Sequence, residues 1–314
     1  MTCALPRRDF LKASLVAAVP VGANTQADAL QPAEASRRLT AYQLGPHIWI
    51  RWDNTLLASY RAHPTQKYPY IYPLTGPITG LSVTTETSLP YPHHRSLLFA
   101  CDRVNGGNFW QSDMSRGQII SAGPKLGRVT GTSAEISDAC VWKMPGRSAV
   151  MKDEREIRVS VIDDDVRAID VVIHWTAVVD VTVERTNHSL FAIRAAADIA
   201  PTGGGNLVNA NGQAGEKATF GQKAGWCGYY GKRSRSGDAV EGVAIFDHPE
   251  NPWSPCPWFT RDYGFISPTP FYFIDNPWKL AAGKSVQLRY RVVWHAGSSS
   301  EALLADRFRD WAAT

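Results

Sequence analysis

Glu156-Ile157-Arg158-Val159-Ser160-Val161 alternates polar and β-branched residues without a break. Apolar residues at every second place mark a strand with one face in the core and one in water. The pattern repeats outward from there. His47-Ile48-Trp49-Ile50-Arg51-Trp52 alternates, and so does Val286-Gln287-Leu288-Arg289-Tyr290-Arg291-Val292-Val293-Trp294. Residues 168–183 are rich in valine and isoleucine and read as one or two strands. Clusters of Gly, Pro, Asn and Asp separate these runs, as turns require. The convincing helix is at the C-terminal end. Ser298 with Glu301 forms a capping-box signature, and Leu304, Phe308 and Trp311 recur at i, i+4 and i+7. Many strands without a β-α-β rhythm predict an all-β fold, a large β-sandwich whose C-terminal helix lays its apolar stripe on a sheet. Residues 30–314 read as one domain.

The composition fits a globular chain: 314 residues, 44% hydrophobic, 11% aromatic and 20% charged. The net charge is +4, and the first 27 residues hold +2 of it through Arg7, Arg8, Lys12 and Asp9. The remainder is too near neutral for a nucleic-acid binder. No apolar run after residue 30 reaches the ~18–20 residues of a membrane span. Pro6-Arg7-Arg8-Asp9-Phe10-Leu11-Lys12, a short apolar run and Ala27-Asp28-Ala29 read as a twin-arginine export signal over residues 1–29. A periplasmic or secreted location is therefore expected. Cys101, Cys140, Cys227 and Cys256 remain after the signal and permit three disulfide pairings or four free thiols. Without a C-x-x-C pair they do not read as a structural zinc site.

Three segments carry unusual chemistry. The first runs from Pro92-His93-His94-Arg95 through Asp102 and Asn105 to Phe109-Trp110. Imidazole exchanges a proton near neutral pH and ligates metals. On a strand only one of the adjacent histidines would face a site; on a loop both could. The second is the glycine-rich stretch Gly203-Gly204-Gly205, followed by Trp226; without a strand–GxxxxGK–helix context it does not read as a phosphate loop. The third runs from Asp247-His248 to Arg261-Asp262-Tyr263 and concentrates carboxylate, imidazole, guanidinium and indole. The polar stretches 201–216 and 247–262 read as long loops, which are often functional.

Taken together, these segments resemble a family of secreted bacterial proteins labelled PmoA-like. The resemblance rests on Tyr70-Ile71-Tyr72-Pro73-Leu74, Pro92-His93-His94-Arg95-Ser96-Leu97-Leu98-Phe99, Val104-Asn105-Gly106, Phe109-Trp110, Ala244-Ile245-Phe246-Asp247-His248-Pro249 and Arg261-Asp262-Tyr263-Gly264. It implies a carbohydrate ligand and a galactose-mutarotase-like supersandwich, by analogy alone. The methane-oxygenase label attached to the family does not suit this chain, since that enzyme's subunit spans the membrane several times. Two positions depart from the family pattern. Phe259 and Cys101 stand where relatives carry histidine, with Asp102 in place of the following glycine.

The expected function is that of a periplasmic carbohydrate-active protein using general acid/base chemistry: hydrolysis, elimination or epimerisation. His93 or His94 is the expected acid/base and Asp247 or Asp262 its counter-carboxylate. Arg95 and Arg261 would orient hydroxyls or a carboxylate. Trp110 and Trp226 would stack on sugar faces, with Asp102, Asn105, His248 and Tyr263 completing the binding set. No cofactor follows from a motif, but a divalent metal stays open from His93, His94 or His248 with Asp102 or Asp247. The alternative is a non-catalytic sugar-binding or accessory protein, and a metal-dependent oxygenase ranks behind both.

Overall fold

The structure, a computed structural model, describes residues 38–234 and 236–314; the expected signal segment lies outside them. The stretch 156–161 ends the strand Ala149–Val161, whose residues alternate between buried and exposed along its length. It pairs antiparallel with Ser133–Lys143 on one side and Val166–Ala177 on the other. These three belong to a nine-stranded sheet. Its order is Asn206–Asn209, Trp226–Lys232, Val240–Asp247, Ser285–Ala296, Val166–Ala177, Ala149–Val161, Ser133–Lys143, Gln118–Ser121, and the ninth strand, Lys125–Val129, also pairs with Ser133–Lys143. The second, eleven-stranded sheet runs Leu39–Leu44, His47–Trp52, Thr55–Arg61, Tyr70–Leu74, Leu97–Val104, Ser189–Arg194, Phe265–Pro268, Trp258–Arg261, with three short strands beside it. The all-β sandwich is thus what the alternation predicts.

The run 168–183 is two strands, and they belong to different sheets. Val166–Ala177 lies in the nine-stranded sheet, while Val181–Val183 pairs with Trp278–Leu280 and Leu97–Val104 in the other. Side-chain alternation then fixes which face looks inward. Phe99 packs on Trp142 and Trp175, and Phe191 stacks on Tyr290 at 4.4 Å, so Leu97, Phe99 and Cys101 point between the sheets. Asp102 therefore lies on the outer face. In the nine-stranded sheet Val243 and Ile245 face the interior, whereas Ala244, Phe246 and Val293 face outward under the C-terminal helix.

That helix is Leu304–Ala312, and Leu304, Phe308 and Trp311 form its packing stripe as expected. The capping box forms, with Ser298 N–H donating to Glu301 Oε2 at 2.7 Å and Glu301 N–H to Ser298 Oγ at 3.3 Å. It closes the turn ahead of the helix; the helix itself begins after Leu303, which adopts φ 53°. All four described cysteines are free and buried. No helix among the described residues is long and apolar enough to cross a membrane.

Candidate functional site

Antiparallel pairing of Leu97–Val104 with Ser189–Arg194 sets Ser189 opposite Cys101, and Asp102 N–H donates to the His188 carbonyl at 2.9 Å. Asp102 and His188 are thereby neighbours on the outer face. His188 Nδ1 lies 3.3 Å from Asp102 Oδ2. The Thr186 hydroxyl donates to Asp102 Oδ1 and accepts the His188 N–H at 3.0 Å. The Asp102 carboxylate thus holds the imidazole, while the Thr186 hydroxyl and the Asp102 amide fix the carboxylate and the His188 backbone.

The turn at 88–96 brings two more. Tyr91 N–H bonds Ser88 O, His94 N–H bonds Tyr91 O, and the Tyr68 hydroxyl donates to the His93 carbonyl. His93 and His94 are on a loop, so both rings turn the same way. Their centroids are 4.6 Å apart and lie 5.5 and 6.2 Å from that of His188. One nitrogen from each of the three rings lies within 4.8 Å of the other two. His94 is 3% exposed and stacks on Phe265 at 4.3 Å. Trp110 packs 5.7 Å from His188. Both ring nitrogens of His94, Nε2 of His93 and Nε1 of Trp110 are buried without a hydrogen-bond partner. Buried polar atoms are nearly always paired, so four such atoms in one spot mark a place built for something else.

Burial, then the nearby imidazoles and Arg194, pushes His94 down to about 2. Burial, then His188 and Arg194, takes His93 down to about 4. Both are neutral at pH 7, with ring lone pairs available. Beside them a polar pocket of about 340 Å³ is lined by Asp102, Asn108, Gln111, Arg116, Glu184 and His188, among others. Tyr263 and Tyr91 close another side; their rings are 5.2 Å apart, and burial takes the Tyr263 hydroxyl up to about 12.

Of the residues singled out from the sequence, His93, His94, Asp102, Trp110 and Tyr263 meet here. Trp110 is 0% exposed, so it is a wall and not a platform for a sugar face. Trp226 and His248 lie instead with the C-terminal helix; His248 meets Trp311 edge-on at 4.9 Å. Asp247 is buried and accepts from Asn251 Nδ2 at 2.7 Å and Cys256 N–H at 3.3 Å. Asn105 caps a strand connection, donating to Asp180 O and accepting from Thr182 N–H. The Arg95 guanidinium sits over the Tyr70 ring at 5.4 Å.

The stretches 201–216 and 247–262 clasp each other. Glu216 N–H donates to Asp262 Oδ1, Asp262 N–H to Glu216 Oε2, and Arg261 Nη1 to Glu216 Oε1 at 3.1 Å. Phe259 lies beneath the Arg261 guanidinium at 4.0 Å. Gly203 and Gly205 are needed for contact, since a Cβ on either would strike a carbonyl of residues 197–199 at 2.0 Å. Sequence reasoning missed His188 and Arg194. Neither sits in a motif, and only the pairing of two strands distant in the chain brings them to the site.

A family model described as a family of unknown function, DUF6807, matches residues 47–309, and the chain belongs to that family. No curated protein matches it in sequence. Among solved structures, a protein described as a kojibiose phosphorylase from the human microbiome matches with a TM-score of 0.35 at 10% identity, covering 82% of this chain. The chain spans 32% of that protein's length. A protein described as an aldose 1-epimerase from Klebsiella pneumoniae subsp. pneumoniae matches with a TM-score of 0.26 at 7% identity, covering 88% of this chain and 87% of its own. At such scores the fold rests on the sheets themselves and not on these neighbours.

Proposed function

We propose that the protein is a metal-dependent enzyme acting on an oxygen-rich small molecule of the carbohydrate class, with His93, His94 and His188 as ligands of one divalent transition-metal ion. The convergence of three imidazoles, two with buried and unpartnered nitrogens, carries this reading. Imidazole suits zinc, copper, iron and nickel. Metal binding needs neutral imidazole, and burial keeps His93 and His94 in that form. Asp102 at Nδ1 of His188 is the carboxylate–histidine arrangement that fixes a ligand's tautomer and frees Nε2. Three protein ligands leave a coordination position for substrate.

When bound, the ion supplies Lewis acidity toward a substrate oxygen. The chain's own groups do the rest. Asp102 and Thr186 orient His188, while Trp110 and Phe265 keep water from the back of the imidazoles. Asn108, Gln111 and Arg116 offer donors for hydroxyls in a pocket of small-molecule size. This role replaces the acid/base one for His94. With its pKa taken down to about 2, His94 forms no imidazolium to act as general acid at pH 7 and is a weak general base. The proposal places the enzyme outside the cytoplasm, on the export signal read at residues 1–29.

The test is metal analysis by mass spectrometry of protein prepared without chelator, then refilled with zinc, iron, copper or nickel. One ion per chain is expected. His188→Ala should lose it, and Asp102→Asn should weaken it roughly 10–100-fold. Wild-type protein that takes up none of these ions, or His188→Ala that binds as tightly as wild type, ends the reading. Turnover of sugars by the loaded protein, with a chelator control, then tests the substrate class.

A further inference from the structure

Arg194 is the charged group beside the site that the metal reading leaves unused. It is 5% exposed, and its Nε and Nη1 are buried without an acceptor. Its guanidinium lies 4.4 Å from the centre of the Tyr263 ring. Burial lowers its pKa, and the groups that act on it electrically are Tyr263, Tyr229 and Tyr91, none of them a carboxylate. Two other guanidiniums, each 4% exposed, are treated differently by the fold. Arg155 holds Asp153 at 2.5 Å, and Arg233 lies 3.1 Å from Asp198 and 3.6 Å from Glu241. No carboxylate pairs with Arg194 among the described residues. A buried charge without a counter-charge is costly, so its partner is expected from outside the chain.

Its position says what that partner touches next. Arg194 lies opposite Phe265, which stacks on His94, and the Tyr263 ring under its guanidinium lies 6.3 Å from the His94 ring. The guanidinium therefore stands at the rim of the three-imidazole site. We propose that the ligand is an anionic sugar, a carbohydrate carrying one oxyanion, which Arg194 binds while a neighbouring oxygen faces the imidazoles. The oxyanion is a carboxylate or a phosphate; guanidinium recognises both. The inference rests on the proposed metal site for the placement of that second oxygen. The anion contact rests on Arg194 alone.

The experiment is calorimetric titration of the full protein, its metal content measured separately, with glucuronate, glucose 6-phosphate and glucose at low salt. At least one anionic sugar should bind tenfold or more tightly than glucose, and which one does so identifies the oxyanion. Arg194→Gln should erase that preference without changing metal content, and Arg194→Lys, which keeps the charge and tests the fold, should retain part of it. A wild type without preference for either anion over glucose overturns the inference. So does a folded Arg194→Gln protein that keeps the preference. A preference that depends on Arg194 in protein binding no metal upholds the inference and ends the metal reading.

Discussion

Asp247 shows how far a residue's type can stand from its role. A carboxyl next to a histidine and a proline-rich loop reads as a catalytic candidate, yet this one is sealed between Asn251, Cys256 and Tyr290. Hydrogen bonds donated to it favour its charged form, but burial outweighs them and raises its pKa to about 6. The folded state therefore keeps a proton that the unfolded chain, near 3.9, has lost. Stability from this group is full below about pH 4 and is lost as pH rises to about 6. Some two pK units correspond to about 3 kcal/mol. Asp247→Asn cannot ionise, so its stability relative to wild type should rise by about that amount between pH 4 and pH 7. Urea melts at the two pH values measure it, and a difference that does not change with pH would show that the carboxyl titrates as an ordinary aspartate.

At the scale of elements, alternation and periodicity reveal the strands and the helix because each is a local consequence of one buried face. His47–Trp52 has the boundaries its pattern gives, and the C-terminal helix buries the stripe read from its spacing. The switch of sheets between Ala177 and Val181 was not legible, since which sheet a strand joins is decided by distant partners. Trp226 fails as a sugar platform for the same reason: the face it occupies is claimed by a helix some eighty residues later in the chain. Trp311 joins that helix to the sheet, with its ring 6.0 Å from Phe246 and 4.9 Å from His248. Trp311→Ala should cost about 3–5 kcal/mol, the usual effect of emptying a buried aromatic position. Denaturant unfolding reads that loss. Metal content should stay at the wild-type value, because helix and imidazoles occupy different sheets; a variant that also loses its metal would tie the two faces together.

For the whole molecule, the sandwich leaves two outer faces, one covered in part by the C-terminal helix, over Ala244, Phe246 and Val293, and the other carrying the three-histidine site. The histidine pair was visible in sequence because adjacent imidazoles before an arginine are unusual. The third histidine was not, because it arrives through the register of Leu97–Val104 against Ser189–Arg194. That separation along the chain has a thermodynamic consequence. The unfolded chain does not hold the three ligands together, so an ion that bridges the 88–96 turn and His188 binds the folded state almost alone. Mass action then stabilises the fold by ~4 kcal/mol when free metal exceeds its dissociation constant a thousandfold. At just under ~2 °C per kcal/mol for a folded chain of this size, the melting temperature should rise by roughly 7 °C. Scanning calorimetry with and without metal measures the rise, and chelator should reverse it. His188→Ala should melt at one temperature under both conditions. If that variant shifted as much as wild type, the ion would be binding elsewhere, and the outer face of the eleven-stranded sheet would have to be read without it.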